Sequence, residues 1–208
     1  NVFDKTRTVA CVTQGHGEPE LEAAGDTGLA YLKDRLGKNN FEVVPVFVND
    51  NDSYTFPDSN NGGSWRTTDP RREIAAIKER NDATNGNLVR LARMLRAWKK
   101  TWDVPIGGLL IDTLAYQFIE NYEYRDKSYL YYDFFSRDVF DWMASQDSEQ
   151  EWWRAPGSGA YVYGKGLFQY KARRCCNLAK EAIAYETNKQ EWSAKQNWRE
   201  IYGTSFPD

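Results

Sequence analysis

One acid sits inside an otherwise apolar extended segment, Phe41-Glu42-Val43-Val44-Pro45-Val46-Phe47. Alternation along a strand puts Phe41, Val43, Pro45 and Phe47 on one face and Glu42, Val44 and Val46 on the other, so Glu42 shares its face with apolar neighbours. A carboxylate in that setting needs a cation or a hydrogen-bond donor. It could ligate a metal, act as an acid of tuned pKa, or sit exposed on an edge strand, a reading that Pro45 keeps open because proline cannot donate to a ladder. The second chemical grouping is basic: Arg93, Arg96 and Lys100 fall close together on one side of a helical pattern. They suit either a solvated basic face or an anion site. Gly107 and Gly108, at the start of the next helical pattern, would let backbone pack closely or a ligand approach, and so favour the anion site.

Other chemistries find little support. His16 is the single histidine, which removes the usual basis for a zinc site or a histidine-dependent nucleophile. Of three cysteines, Cys175 and Cys176 are adjacent and Cys11 has no obvious partner, so no disulfide framework is visible and a reducing cytoplasm is the expected setting. A formal charge of -3 over 208 residues argues against general nucleic-acid binding. The basic residues nevertheless gather between Arg66 and Lys100, so any anion site should be local. The longest apolar runs are too short to cross a bilayer, and no membrane association is expected.

The elements that must position these groups follow from periodicity and punctuation. TVACVTQG reads as a strand, GLAYLKDRLG as a helix ending near Gly37, and Phe41–Val48 as a second strand. Residues 49 to 68 are rich in Asn, Asp, Gly and Ser, the composition of a long functional loop or of a hairpin turning near Asn51. Asp69-Pro70 predicts a helix start, with the carboxylate capping free amides and proline at the first helical position. Leu88, Leu91, Leu95, Trp98 and Trp102 repeat at helical spacing and form one apolar stripe. SYLYYDFFSRDVFDWMASQ, LFQYKARRCCNLAKEAIAYE and KQEWSAKQNWREIYG predict three further helices. EWWRAPGSGAYVYGKG, with its glycines and proline, predicts a connector or a lid.

FEVVPVF, YTFPDSNNGGSWRTTDPRREI, NLVRLARMLRAWKK, GGLLIDTLAYQFI, KSYLYYDFFSRDVF and WREIYGTSFP, in unbroken order over residues 41–208, resemble the bacterial cyclic-oligonucleotide synthases related to cyclic GMP-AMP synthase and oligoadenylate synthase. The resemblance implies an α+β fold, a nucleotidyltransferase-like small sheet, here shortened, packed against a helical C-terminal lobe, with boundaries at 1–68 and 69–208. It implies synthesis of a cyclic di- or oligonucleotide second messenger from ATP or GTP in bacterial antiphage defence. Nucleoside triphosphates would be the partners, with room for a regulatory protein. In that family carboxylates hold two Mg2+ ions, roughly 3.5 to 4 Å apart, which stabilise the entering and departing oxygens of phosphoryl transfer. Glu42 matches the third metal-binding acid and Arg96 the residue that holds the triphosphate. Arg93 and Lys100 assist it, while Ser64 and Trp65 fall in the loop bordering the nucleotide pocket.

The family's Gly-Ser loop and Asp-x-Asp pair have only a loose counterpart in TQGHGEPELEAAGDTGLAYL. There Gly15 and His16 stand for Gly-Ser, Asp26 for the first acid and Gly28 for the second, and a glycine offers no carboxylate. The chain starts at Asn1, so an intact pair is expected upstream if there is one. TVACVTQGHGEPEL followed by GLAYLKDRLGKNNFEV is also similar to the auxiliary domain of gliding-type ABC transport systems, over about forty residues. Three expectations result: an active synthase, a catalytically inactive fragment or degenerate nucleotide-binding module of the same family, and a transport-associated protein that binds no nucleotide.

Overall fold

The computed structural model describes residues 7–12, 41–58 and 63–206, with residues 7–12, 41–45, 58 and 205 described by backbone alone. The chain divides into two compact units, Asn1–Arg72 and Glu73–Asp208.

The first unit holds four strands in the order β1-β2-β3-β4: β1 Arg7–Val12, β2 Phe41–Val48, β3 Tyr54–Asp58 and β4 Ser64–Thr68. β1 and β2 are parallel, in register from Arg7 with Phe41 to Val12 with Val46. β2 then pairs antiparallel with β3 through Phe47 with Thr55 and Val48 with Tyr54. β2 therefore changes neighbour at Val46; it is interior in the strand order, but along residues 41–46 it is paired on one side only among the described residues, in keeping with the edge reading there. Pro45 lies opposite Cys11, in the part of β2 whose strand partner among the described residues is β1 alone, so its missing N–H interrupts no second ladder. At the end of the strand Val46 is 3% exposed and Phe47 36%, but Val48, at 48%, does not continue the alternation.

Of the two readings for residues 49–68, the hairpin is correct. Ser53 donates from its amide and hydroxyl to Asn51 Oδ1, and Asn49 Nδ2 donates to Ser53 Oγ at 2.8 Å, so short polar side chains take up the backbone groups of the turn. β3 and β4 then pair antiparallel from Tyr54 with Thr68 to Asp58 with Ser64. The predicted cap is in place. Asp69 Oδ1 accepts from the Arg72 amide at 3.2 Å, and Pro70 opens α1, Pro70–Ala83. The helix predicted before Gly37 lies outside the described residues.

The second unit is helical, with α2 Asn87–Trp102, α3 Gly108–Glu120, a 3-10 turn at Tyr129–Tyr131, α4 Tyr132–Ala144, α5 Gln169–Thr187 and α6 Glu191–Tyr202. Leu88, Leu91, Leu95 and Trp98 are each at most 2% exposed, so the stripe of α2 is the centre of this core. α2 packs against α3 and α6, while α5 packs against α4 and α6. Ala172, Ala179 and Ala182, all fully buried on α5, allow its backbone to come close to its neighbours. Trp98 lies 5.2 Å from Phe140 between ring centroids and donates its indole N–H to Cys175 Sγ at 3.1 Å. Burying each such large side chain contributes roughly 1.5 to 3 kcal/mol.

The polar anchor at the start of α2 is Asn87, only 1% exposed. Its amide donates to the carbonyls of Arg125 and Lys127, and its oxygen accepts from Tyr132 Oη at 3.0 Å. A buried amide satisfied on both ends fixes the approach to α4 without leaving an orphaned group. The segment 151–166, expected as a connector or lid, instead contains an antiparallel hairpin of β5 Trp152–Arg154 and β6 Tyr161–Tyr163. Trp153 and Val162 point inward and are buried, and the flanking residues are exposed. Gly157 and Gly159 take positive φ in its turn.

Candidate functional site

The basic residues of α2 meet different surroundings. Arg96 Nη2 donates to Asp112 Oδ2 on α3 at 2.7 Å, while its Nη1 donates to the Ala92 carbonyl at 3.1 Å. Nη2 also reaches the Gly108 carbonyl at 3.5 Å. The guanidinium is thus held flat between α2 and the start of α3. Asp112 is 3% exposed, and its Oδ1 is buried with no hydrogen-bond partner among the described residues. Burial pushes its pKa up, and the Arg96 hydrogen bond and charge oppose that shift. Asp112 was not among the sequence candidates. In GGLLIDTLA it reads as one polar residue on an apolar helix, and the cation that explains it lies sixteen residues earlier.

Gly107 and Gly108 begin α3, where the sequence suggested either close packing or ligand approach. A Cβ at Gly108 would meet nothing within 4 Å, and one at Gly107 would meet only Lys165 Cε at 3.9 Å. Packing does not demand glycine at either position.

Arg93 and Lys100 are exposed. Seven residues apart, they share one side of α2, and Arg96 is turned about 60° from Arg93. Arg93 lines a cavity of about 550 Å³ in the helical unit, together with Tyr132, Asp133, Trp198, Tyr202 and Phe206.

In the sheet unit, Ser64 and Trp65 lie on β4 rather than in a loop, opposite Asp58 and Pro57. Both are exposed. Trp65 is 63% exposed and packs at 5.7 Å against Phe47, which leaves most of the indole open. Glu42 is in register with Thr8 on β1, described by backbone only, and Asp26 lies outside the described residues. Among the described residues no three His, Cys, Asp or Glu side chains could together hold a metal ion. The chemistry of Glu42 and Asp26 suits Mg2+, which takes oxygen ligands; their convergence falls outside the described residues. Nor is any helix among those residues long and apolar enough to cross a membrane.

A parallel pair of strands continued by antiparallel ones, followed by a helical unit with a basic helix, is the α+β arrangement of a nucleotidyltransferase-like protein. Comparison with known proteins narrows the class. Residues 31–81 match the family model described as the Second Messenger Oligonucleotide or Dinucleotide Synthetase domain. A probable cyclic nucleotide synthase of Bacillus cereus (strain VD146) is 22% identical over 177 residues, covering 80% of this chain and 51% of that protein. The chain thus spans about half the length of that curated relative. Among solved structures, Escherichia coli MS115-1 CdnC with ATP superposes with a TM-score of 0.67 at 14% identity, over 98% of this chain and 79% of that one. Vibrio cholerae DncV, a cyclic AMP-GMP synthase in complex with the linear intermediate pppA(3′,5′)pG, gives 0.67 at 10% identity, over 98% of this chain and 63% of that one. CdnC is also known in complex with HORMA-deltaN, at 0.67 and 13% identity over 97% and 77%.

In sequence and fold the chain is similar to the cGAS/DncV-like cyclic-oligonucleotide synthases. The family match begins ten residues ahead of Phe41.

Proposed function

We propose that this chain is the core of a nucleotidyltransferase that joins nucleotides from ATP or GTP into a cyclic di- or oligonucleotide. The observation that carries the reading is the Arg96 guanidinium, pinned by Asp112 near Gly107 and Gly108; the family resemblance assigns this residue to the triphosphate. A guanidinium fixed in one orientation loses little further freedom on meeting a phosphate and binds it through paired N–H donors. Lys100 adds a mobile positive charge. Trp65 offers a flat, exposed ring on which a base can stack, with Ser64 beside it. Arg93 belongs with the cavity described above.

Glu42 and Asp26 are the residues we assign to Mg2+. When bound, such ions supply charge neutralisation for attack of a ribose hydroxyl on an α-phosphate as pyrophosphate leaves. A regulatory protein partner is in keeping with the CdnC complex, and a role in antiphage defence with the family resemblance.

Incubation with mixed nucleoside triphosphates and Mg2+, followed by mass spectrometry, tests the proposal. A cyclic nucleotide is expected, and no product from the full-length protein would overturn it. A second reading, a module that binds nucleotide without turnover, is favoured by Gly28 at the place of a metal-binding acid. Calorimetric titration with ATP separates the two. Binding indifferent to Mg2+ supports the module, whereas Mg2+-dependent binding supports the enzyme.

A further inference from the structure

The 550 Å³ cavity lies wholly within the helical unit, among α2, the Tyr129–Tyr131 turn, α4, the end of α5, and α6 with Phe206. Its volume falls within the roughly 300 to 1,000 Å³ of small-molecule sites. Tyr132, Trp198, Tyr202 and Phe206 give it aromatic walls, and the Phe206 ring lies near-parallel to Trp198 at 6.4 Å and 26°. Tyr129 and Leu130, 73% and 69% exposed, also line it and form an apolar rim.

Below that rim the polar groups of the walls are engaged by the protein itself. Tyr202 Oη donates to Ser136 Oγ at 2.7 Å, and Ser136 Oγ in turn to the Tyr132 carbonyl at 2.7 Å. Tyr132 Oη donates to Asn87, and the Trp198 indole N–H to Glu186 Oε1 at 2.8 Å. The two acids spend their oxygens in the same way, Glu186 on that indole and Asp133 on the backbone amides of Asp133 and Phe134. Arg93 differs. It lines the cavity, is exposed, and has no hydrogen-bond acceptor or carboxylate partner among the described residues, so all its N–H donors remain for a ligand. A ligand rich in polar groups would leave them unmatched against these walls, whereas a flat apolar ring loses nothing there. The group the site can still satisfy is an anionic acceptor that takes the paired N–H donors of a guanidinium.

We propose that this cavity is a binding site for a planar aromatic carboxylate. The ring lies among Trp198, Tyr202 and Phe206, and the carboxylate meets Arg93. The site is separate from the triphosphate position proposed at Arg96, which is turned about 60° from Arg93 on α2, and its occupancy does not depend on nucleotide synthesis.

Calorimetric titration with 2-naphthoate tests this. The comparisons are 2-naphthamide, which keeps the ring without the charge, and decanoate, which keeps the charge without the ring. Saturable binding of 2-naphthoate is expected, with each comparison compound about fivefold weaker or more. Arg93→Gln, at an exposed position that leaves the core intact, should bring 2-naphthoate down to the affinity of 2-naphthamide and leave the amide unchanged. Phe206→Ala should weaken both severalfold by removing one wall. Ala97→Phe, which fills the cavity from α2, should abolish binding of both, and the Arg93 and Phe206 variants decide the matter if it fails to fold. Inorganic pyrophosphate, an anion without a ring that suits the Arg96 position, should not displace 2-naphthoate. The proposal is overturned by no saturable binding at millimolar 2-naphthoate, by equal affinity for either comparison compound, or by displacement with pyrophosphate. Unchanged affinity in Arg93→Gln or Phe206→Ala, or binding kept in a folded Ala97→Phe, would overturn it as well.

Discussion

Arg96 and Asp112 join α2 to α3 through a 2.7 Å charged hydrogen bond, and the carboxylate at its end is only 3% exposed. The pair gives the basic helix a structural duty alongside the chemical one proposed for it. Removing one member of a buried pair leaves a desolvated charge, which typically costs about 3 to 5 kcal/mol. Arg96→Ala should therefore lower unfolding stability by an amount near the low end of that range, since Asp112 can take up a proton. Urea unfolding measures it, and Arg96→Ala with Asp112→Ala should recover part of the loss. A single variant as stable as the parent would show that the pair contributes nothing.

The raised pKa of Asp112 has a definite sign in the pH profile. The folded protein holds a proton there at pH values where the unfolded chain, with an ordinary value of 3.8, has released it. Stability contributed by the protonated form is present at low pH and declines as pH rises above about 3.8. Asp112→Asn cannot titrate, so the melting temperature of this variant relative to the parent should climb as pH increases through that window. A constant difference would show that Asp112 titrates alike in both states.

Cys175 is fully buried beside Trp98, and burial pushes its thiol up to about 12. Cys176 is 2% exposed and shifted in the same direction, chiefly by burial. Thiolate is the reactive species, so neither should be alkylated by iodoacetamide at pH 8 in the native protein, and both should react after unfolding. Peptide mass mapping reads the outcome, and rapid native labelling at either position would contradict this packing.

Gly203 ends α6 with φ of 69°, and a Cβ built there would lie 2.7 Å from Thr101 Oγ1. Alanine at such a position is strained by its backbone and crowded by its neighbour, so Gly203→Ala should destabilise by more than about 1 kcal/mol. Thermal melting measures it. Combining it with Thr101→Ala should relieve the crowding but leave the backbone strain, so rescue should be partial.

Glu42→Ala should remove cyclic-nucleotide synthesis with little change in melting temperature if the acid serves metal. Mass spectrometry of products and a thermal melt on one sample check both halves. A large loss of stability would instead make Glu42 a structural residue of β2.

Several features were legible from local sequence because their causes are local. The 3.6-residue repeat of Leu88, Leu91, Leu95 and Trp98 reappears as the buried face of α2, and Asp69-Pro70 as a capped helix start. Strands of three residues carry too short an alternation to read, so the segment holding β5 and β6 reads from sequence as a connector or lid. Pro45 suggests an edge from its own chemistry, and the one-sided pairing of residues 41–46 agrees, but that β2 gains a second neighbour beyond Val46 depends on where the β3 hairpin folds back.

By itself the sequence determined the helical elements of residues 70–202, the apolar stripe of α2, and the motifs by which the synthase family could be suspected. Tertiary structure alone decided that Arg96 is clasped by Asp112 while Arg93 lines an aromatic cavity, though the two sit three residues apart on one helix. The physical reason is that periodicity assigns a residue to a side of its own element, but its partners come from other elements folded against it. A carboxylate sixteen residues away and aromatic rings a hundred residues away leave no mark on local spacing.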